Sequence, residues 1–448
     1  MPGLPPTKTM AFLQEFRGFT RNARLLLTTA FFVGLSMAVG GLFLNFYLQS
    51  LGLSQQFIGL ANALPSFVLV AVGLPAGRLI DRHGPRWGLL VGTAAAAAAA
   101  LGFALTGAPA ALLAFAVIQG VGAAFGFIST APFQMANSTE RERVALFSAQ
   151  AALITGTAFL GNLVGSRLPA VFGGLVGMPP DTLLPLRLTM LVVAALWALA
   201  ALPIALTGPS VLTGSSAPGL PGDLPAGPQP DGTGKAPRRR LVSNPGMVGR
   251  LLLPAFLISL GAGQTMPFLN IYVSGRFGVD FRSLGVFFAI GAFGTTLATL
   301  AQPRLAARVG KVESVLIVQA ASIPFLLILG FVPVFWLVAV SFVVRTALMN
   351  MGNPVYQAFA QEQISPGERA TYSSMSTIAW SLGWALGSAF SGWWRGLVGF
   401  EAGFNTVFGL MTALYVTAIA LMYVFFVRGA HFLPISRQGY PGSKATGV

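Results

Sequence analysis

The chain has 448 residues, of which 54% are hydrophobic and only 9% are charged, and its formal net charge is +15. Soluble domains carry about 25% charged residues, so this composition excludes a water-soluble fold and makes the bilayer the solvent for most of the surface. The chain contains no cysteine, which excludes disulfides and thiolate metal sites. The basic residues fall at helix ends and form no aromatic-rich patch, which argues against nucleic-acid binding.

Apolar segments recur from one end of the chain to the other. A helix needs about 20 apolar residues to cross the hydrocarbon of a bilayer. On this measure the sequence predicts an all-α membrane protein with twelve transmembrane helices. The predicted spans lie near residues 25–48, 57–79, 88–106, 110–134, 145–170, 185–207, 250–273, 283–303, 314–332, 334–360, 372–393 and 403–427.

The basic residues between these spans indicate the orientation. If the N-terminus lies inside, the inner segments hold 21 of the 27 Lys and Arg residues, the outer loops hold five, among them Arg395, and Arg345 falls within the tenth span. Basic loops stay on the cytoplasmic side of a membrane. We therefore expect both termini in the cytoplasm and a multi-pass location in the cell (inner) membrane.

One stretch of the chain occurs twice. Phe43–Tyr47 returns as Phe268–Tyr272, 225 residues later, and beyond it the offset is 226, as between Gly84 and Gly310. An offset held over about half the chain indicates a duplication. It predicts two pseudo-symmetric six-helix bundles joined by a flexible cytoplasmic linker rich in Pro, Gly and Ser. The predicted units are residues 1–207, 208–249 and 250–448.

The loop after the second span combines a turn glycine with basic residues and one acid. The residues concerned are Gly77, Asp81, Arg82, Gly84 and Arg86. An acid at the membrane edge needs a cation or a helix N-terminus as its partner. The spacing resembles the signature of the major facilitator superfamily at this loop, and the resemblance covers the whole chain. It implies two bundles that rock about a central cavity, with these five residues forming a conformational latch on the cytoplasmic side.

Arg345 is the one ionisable residue deep inside a predicted span. An arginine at mid-bilayer costs about 2.5–3.5 kcal/mol on insertion scales, so its side chain must face the cavity or a polar partner. Two interpretations stay open. Arg345 contacts an anionic or carbonyl-bearing substrate, or it is a structural tether to helix carbonyls or to a side chain of a neighbouring span.

The resemblance places spans one, four, seven and ten around the cavity. Amides and a tyrosine on these spans, and two tryptophans on span eleven, are therefore substrate-binding candidates together with Arg345. They are Asn45, Asn270, Gln264, Gln119, Asn350, Asn353, Tyr356, Trp380 and Trp384. The alternative for each is a helix-packing contact.

Two further sets of residues are predicted to have structural roles rather than binding roles. Tyr47 and Tyr272 are predicted in the aromatic belt at the outer interface. Glycines four residues apart on spans five and eleven are predicted as sliding contacts between the bundles. These glycines are Gly161, Gly165, Gly383 and Gly387.

The sequence offers little to an enzyme. It has two histidines, neither in a span, and no nucleotide-binding loop, so we expect neither catalysis nor a cofactor or metal. We expect a monomeric secondary transporter of a small organic solute, an exporter of amphipathic, drug-like compounds. The alternative is an uptake carrier or facilitator for an organic anion or sugar. No acid lies centrally in a span, so coupling to a proton or other ion would use an edge group such as Asp81 or Glu362.

Overall fold

The structure is a computed structural model that describes residues 19–208, 242–365 and 368–428. All regular secondary structure in these ranges is helical. The first half contains α1 (Arg21–Ser50), α2 (Gln55–His83), α3 (Pro85–Leu105), α4 (Pro109–Ala136), α5a (Glu140–Gly165), the short α5b (Leu168–Val176) and α6 (Leu183–Ala205). The second half contains α7a (Pro245–Thr265), α7b (Leu269–Phe277), α8 (Phe281–Val309), α9 (Lys311–Phe331), α10a (Phe335–Met351), α10b (Asn353–Glu362), α11 (Arg369–Val398) and α12 (Phe400–Met422).

Eleven segments within these ranges are long and apolar enough to cross a membrane. The twelfth is α11, whose 30 residues would reach about 45 Å at 1.5 Å per residue. Its first half carries several Ser and Thr residues, and α11 is therefore less apolar than a typical membrane span. The prediction of a twelve-helix, all-α membrane protein is confirmed. Most of the predicted linker, 208–249, lies outside the described residues, so the predicted domain boundaries stay predictions.

The packing of the helices repeats between the halves. In the first half α1 packs on α5a and α6, and α4 packs on α2 and α3. In the second half α7a packs on α11 and α12, and α10a packs on α8 and α9. The halves meet where α2 packs on α11 and where α5a packs on α8. Because α2 is equivalent to α8 and α5a to α11, these two contacts are equivalent in the repeat. The prediction of two pseudo-symmetric six-helix bundles is therefore confirmed.

Local interactions follow the same repeat. Ser54 caps α2 by accepting a hydrogen bond from the backbone N–H of Phe57 at 3.3 Å. Its repeat partner Asp280 caps α8 by accepting one from the N–H of Ser283 at 3.0 Å. Such caps satisfy N–H groups that the first turn of a helix leaves unpaired. The hydrogen bonds from Ser283 also hold the pKa of the Asp280 carboxyl below its ordinary value.

The two repeat tyrosines are packed inside the protein and do not face lipid, so the prediction that they belong to an aromatic belt is wrong. Tyr47 and Tyr272 are both fully buried. The hydroxyl of Tyr47 donates to the carbonyl of Thr106 at 3.3 Å, and that of Tyr272 donates to the carbonyl of Leu329 at 2.9 Å. Each tyrosine thus ties the first helix of its half to the end of the third, where carbonyls lack partners within the helix.

The four glycines predicted to slide between the bundles lie inside them instead. Gly161 and Gly165 pack against α1, within the first half. Gly383 and Gly387 pack against the backbone of α7a, within the second half. That prediction is wrong because the close helix pair is α1 with α5a, or α7a with α11, and not the pair that joins the halves.

A different glycine pair joins the halves. A Cβ atom on Gly59 of α2 would lie 2.5 Å from the Cα of Gly392 on α11, so the two backbones touch. Nearby, the ring of Phe281 packs edge-on against that of Phe43 at a centroid distance of 5.2 Å. We name this the closed end of the molecule. The open end is the opposite one, where the α2–α3 and α8–α9 turns lie.

Gly84 and Gly310 make these two open-end turns with the same backbone. Their φ and ψ are 90° and 155° for Gly84 and 103° and 159° for Gly310, a region that residues with a Cβ rarely adopt. Gly84→Ala and Gly310→Ala should each lower the thermal-unfolding midpoint, corresponding to about 1–3 kcal/mol of strain. Gly73→Ala is the control, because Gly73 lies in helix α2 with open space around its Cα. Midpoints equal to that of the control would contradict the strain.

Candidate functional site

A cavity of about 350 Å³ lies between the two halves. This volume is within the range of about 300–1,000 Å³ that is usual for sites of small organic ligands. The first half contributes two apolar side chains, Leu69 of α2 and Phe127 of α4. The second half contributes residues of α7a, α9, α10b, α11 and α12. The cavity is therefore built from both repeats, although the second supplies most of its wall.

Three of the predicted substrate-binding residues line this cavity: Asn353, Tyr356 and Trp380. The hydroxyl of Tyr356 donates to the carbonyl of Leu251 at 2.6 Å. This bond holds the Tyr356 ring, and with it α10b, against α7a. The Trp380 side chain remains 41% exposed, so an aromatic face is available to a ligand.

The structure adds polar wall residues that the sequence prediction missed. They are Gln319 of α9, Gln357 of α10b, and Ser376, Thr377 and Ser381 of α11. A signal was present in the sequence, since Ser and Thr residues recur along α11 and it is not among the eleven most apolar segments. Gln319 is likewise the one amide in helix α9. The prediction excluded span nine and considered only the aromatic rings of span eleven.

Asn45 and Asn270 lie at the closed end and bind each other. The Asn45 amide nitrogen donates to the Asn270 side-chain oxygen at 3.1 Å, and the Asn270 nitrogen donates to the carbonyl of Leu42 at 2.8 Å. Both side chains are 2% exposed. Because the two are repeat partners, their contact lies where the symmetry relating the halves brings equivalent positions together. In this conformation they join α1 to α7b, and they do not line the cavity.

Arg395 is a second link between the halves at this end. The sequence prediction placed it in an outer loop, but it is buried in the last turn of α11, with 2% exposure. Its guanidinium donates to the side-chain oxygen of Gln55 at 2.9 Å and lies 4.1 Å from the ring centroid of Phe268. A cation over an aromatic face is stabilised by the ring quadrupole. Arg395 therefore links α11 both to α2 of the other half and to the break in α7.

Arg345 is buried inside the second bundle, away from the cavity wall. One guanidinium nitrogen donates to the hydroxyl of Tyr415 at 3.2 Å, and another lies 3.4 Å from the sulfur of Met266. The guanidinium carbon is 5.6 Å from the centroid of the Tyr415 ring. Of the two interpretations left open by the sequence, this geometry supports the tether between α10a, α12 and α7.

The other binding candidates do not line the cavity in this conformation. Gln264 is buried on α7a, and Gln119 is half-buried on α4. Asn350 is exposed at the end of α10a, where its amide donates to the carbonyl of Thr346 at 2.8 Å. Trp384 is half-buried, and its backbone packs on α7a.

The five predicted latch residues lie at the open end of the first half. Gly77 lies within α2, and Gly84 forms the turn to α3. Arg86 donates to the carbonyl of Ala205 at 3.0 Å, so it ties α3 to α6 within one half. Asp81 and Arg82 are exposed, and Asp81 makes no ion pair with the described part of the second half.

The comparison with protein families decides the identity. The family model described as "Major Facilitator Superfamily" matches residues 26–388. The chain belongs to the major facilitator superfamily. A search of curated proteins found no match to the sequence.

Solved structures of other proteins share the fold of this superfamily member. A bacterial homolog of the human lysosomal transporter Spinster, inward-facing and unoccupied, has a TM-score of 0.69 at 18% identity, covering 94% of this chain and 97% of its own. The nucleoside transporter NupG has a TM-score of 0.67 at 16% identity, covering 91% and 100%. A bacterial homologue of the iron transporter ferroportin, in its inward-facing state, has a TM-score of 0.68 at 15% identity, covering 90% and 98%.

The asparagine pair predicts a shift in conformation. Asn270→Ala removes hydrogen bonds that exist only while the closed end is closed, so it should favour separation of the halves there. Two hydrogen bonds between the halves are lost, while Asn45 keeps its bond to the carbonyl of Pro267. At about 0.5–1.5 kcal/mol for each bond, the loss is about 1–3 kcal/mol, equivalent to about 5- to 150-fold in the equilibrium. Accessibility of a cysteine placed at Leu42 to a water-soluble maleimide measures this. Asn162→Ala is the control, because the Asn162 amide bonds only within its own helix. Equal labelling of both variants would exclude the asparagine link.

The tether assigned to Arg345 predicts a loss of stability. Arg345→Ala removes packing against Tyr415 and should lower the thermal-unfolding midpoint by an amount corresponding to about 1–3 kcal/mol. Trp380→Ala serves as the comparison. Because Trp380 is 41% exposed, its truncation should lower the midpoint less than that of Arg345. A midpoint for Arg345→Ala at or above that of Trp380→Ala would contradict the tether.

Proposed function

We propose that this protein is a secondary transporter that moves a small organic solute by alternating access. The observation that carries the proposal is the asymmetric contact between two symmetric halves. Gly59 and Gly392 bring the halves together at the closed end, while a cavity lined by both halves lies between them. A site at the interface between two bundles becomes accessible from either side when one bundle rocks against the other.

We propose that the open end faces the cytoplasm of a cell whose inner membrane holds the protein. Basic residues on both sides of the α2–α3 and α8–α9 turns support this orientation, among them Arg82, Arg86, Arg308 and Lys311. The similarity to a Spinster homolog in an inward-facing conformation is consistent with it. Both termini would then lie in the cytoplasm.

The latch proposed for the open end fits an inward-open state. Asp81 is exposed here, and it would find its partner on the second half only when the cytoplasmic side closes. Glu362, the other edge carboxylate considered for ion coupling, is paired with Lys311. Asp81 is therefore the freer of the two groups for coupling to a proton or to the conformational change.

The cavity supports an organic solute with both apolar and polar surface. Phe127 and Trp380 offer apolar area, and α10b and α11 offer hydrogen-bonding groups. We propose export of amphipathic compounds as the direction of transport. The alternative, uptake of a sugar-like solute, is supported by the same hydrogen-bonding wall. Uptake of an organic anion has less support, since Arg345 does not line the cavity.

Two pairs of repeat positions test alternating access without knowledge of the substrate. Ala108 and Val334 are equivalent exposed positions near the closed end, and His83 and Val309 are equivalent exposed positions at the open end. The chain has no cysteine, so each pair can be changed to cysteine and spin-labelled in the full-length protein in vesicles.

Alternating access predicts opposite changes at the two ends. When Asn270→Ala is added, the closed-end distance should lengthen by several ångströms and the open-end distance should shorten. Pulsed electron paramagnetic resonance measures both distributions, with Asn162→Ala as the control. Distances that stay the same at both ends, or that lengthen together, would contradict a rocking transporter.

A further inference from the structure

We infer that the cavity binds an uncharged, amphipathic solute that donates hydrogen bonds, and that Gln319 determines this specificity. The inference deepens the proposed function, since it names the class of solute for the same cavity. It rests on three properties of the cavity wall. The wall is uncharged, it is apolar on one side and polar on the other, and its side chains have hydrogen-bond acceptors without a donor.

The cavity wall is electrically neutral. The thirteen described residues that line it include no Asp, Glu, Lys or Arg. A charged solute would give up hydration on entering and find no counter-charge, which is unfavourable in a low-dielectric site. Arg345, the cation that the sequence offered as a substrate contact, is 3% exposed and already contacts Tyr415 and Met266. The wall therefore selects against both anions and cations.

The two halves present different surfaces to the cavity. Leu69 and Phe127 are the first half's contribution, and the Phe127 side chain is 65% exposed. The hydrogen-bonding groups all come from α9, α10b and α11 of the second half. A solute that fills the cavity would place an apolar body against α2 and α4 and its polar groups against the opposite wall.

Two hydroxyls of the cavity wall already donate their proton to a carbonyl of the protein. The hydroxyl of Tyr356 donates to the carbonyl of Leu251 at 2.6 Å, and that of Thr377 donates to the carbonyl of Ser373 at 3.0 Å. A hydroxyl has one proton to donate and two lone pairs that accept. The capacity that remains on these two oxygens is therefore for accepting hydrogen bonds.

Gln319 points to the same conclusion through a different observation. Its side chain is 5% exposed, and its amide oxygen is buried without a hydrogen-bond partner. A buried acceptor left unpaired is costly, and buried polar atoms in proteins nearly always have partners. Because Gln319 lines the cavity, a turn of its amide would bring this oxygen to a hydroxyl or N–H of the solute, which would supply the missing donor.

Quartets of compounds test the class of solute. Each quartet shares one apolar body without a hydrogen-bond donor and differs in its head group, as in 2-(1-naphthyl)ethanol, its O-methyl ether, 2-(1-naphthyl)ethylamine and 1-naphthylacetate. The readout is the thermal-unfolding midpoint of the purified full-length protein, because a ligand that binds the folded state raises it. The alcohol of at least one quartet should stabilise the protein more than its ether, ammonium and carboxylate counterparts.

Three outcomes of this experiment would overturn the inference. They are larger stabilisation by the charged members, equal stabilisation by alcohol and ether, and no stabilisation by any of the quartets at millimolar concentration.

Substitution of Gln319 tests the residue. Gln319→Leu should weaken binding of the best alcohol by about three- to ten-fold, the equivalent of one neutral hydrogen bond. The affinity for the ether should stay unchanged. Gln302→Leu is the matched control, because Gln302 is 1% exposed, has an unpaired buried amide oxygen and lies outside the cavity. Gln319→Met provides a second variant with an unbranched side chain if Gln319→Leu folds poorly.

The same loss with Gln302→Leu, or an equal loss for alcohol and ether, would overturn the role of Gln319. These assays measure binding without transport, and the spin-label distances measure conformational change without a solute. Failure of the solute class is therefore distinguishable from failure of the proposed transport mechanism.

Discussion

The contact between the halves at the closed end is the interaction on which the rest of the structure depends. At this end the backbones of Gly59 and Gly392 touch, and the side chains of Asn45 and Asn270 bind each other. The absence of side chains at the glycines permits the approach, and the approach brings the asparagines within hydrogen-bonding distance. Bundles held together at one end leave room for a cavity between them, so the site is a consequence of this contact. Alternating access would require the hydrogen bonds and packing of this contact to break.

Buried cations in this protein are stabilised by aromatic rings and neutral oxygens. Arg395 lies over Phe268 and donates to Gln55, and Arg345 lies beside the ring and hydroxyl of Tyr415. In a low-dielectric interior an arginine needs such partners to offset its lost hydration. Both cations are used to join helices, which leaves the cavity without charge. This division explains why a strongly basic protein can have a neutral binding site.

Sequence reasoning succeeded where periodic patterns carry the information, and it failed where side-chain direction matters. The repeat at Phe43–Tyr47 and Phe268–Tyr272 correctly predicted two equivalent bundles. The same repeat contained the link between Asn45 and Asn270, but a sequence offset cannot show that equivalent residues touch. Asn353, Tyr356 and Trp380 line the cavity, and their role in substrate binding stays a prediction. Gln319 was missed because its helix was not among those the family resemblance assigns to the cavity.

The sequence alone determined the solvent, the number of spans and the duplication, because each depends on composition and order along the chain. An apolar segment of about 20 residues must cross a bilayer as a helix whatever its neighbours are. The tertiary structure alone decided which face of each helix meets another bundle, the lipid or the cavity. That choice depends on rotation and crossing of packed helices, which small differences in fit at residues such as Gly161 and Gly392 control. Arg345 illustrates the difference. Its charge within an apolar span required a polar partner, and only the packing of α10a against α12 determined that this partner is Tyr415.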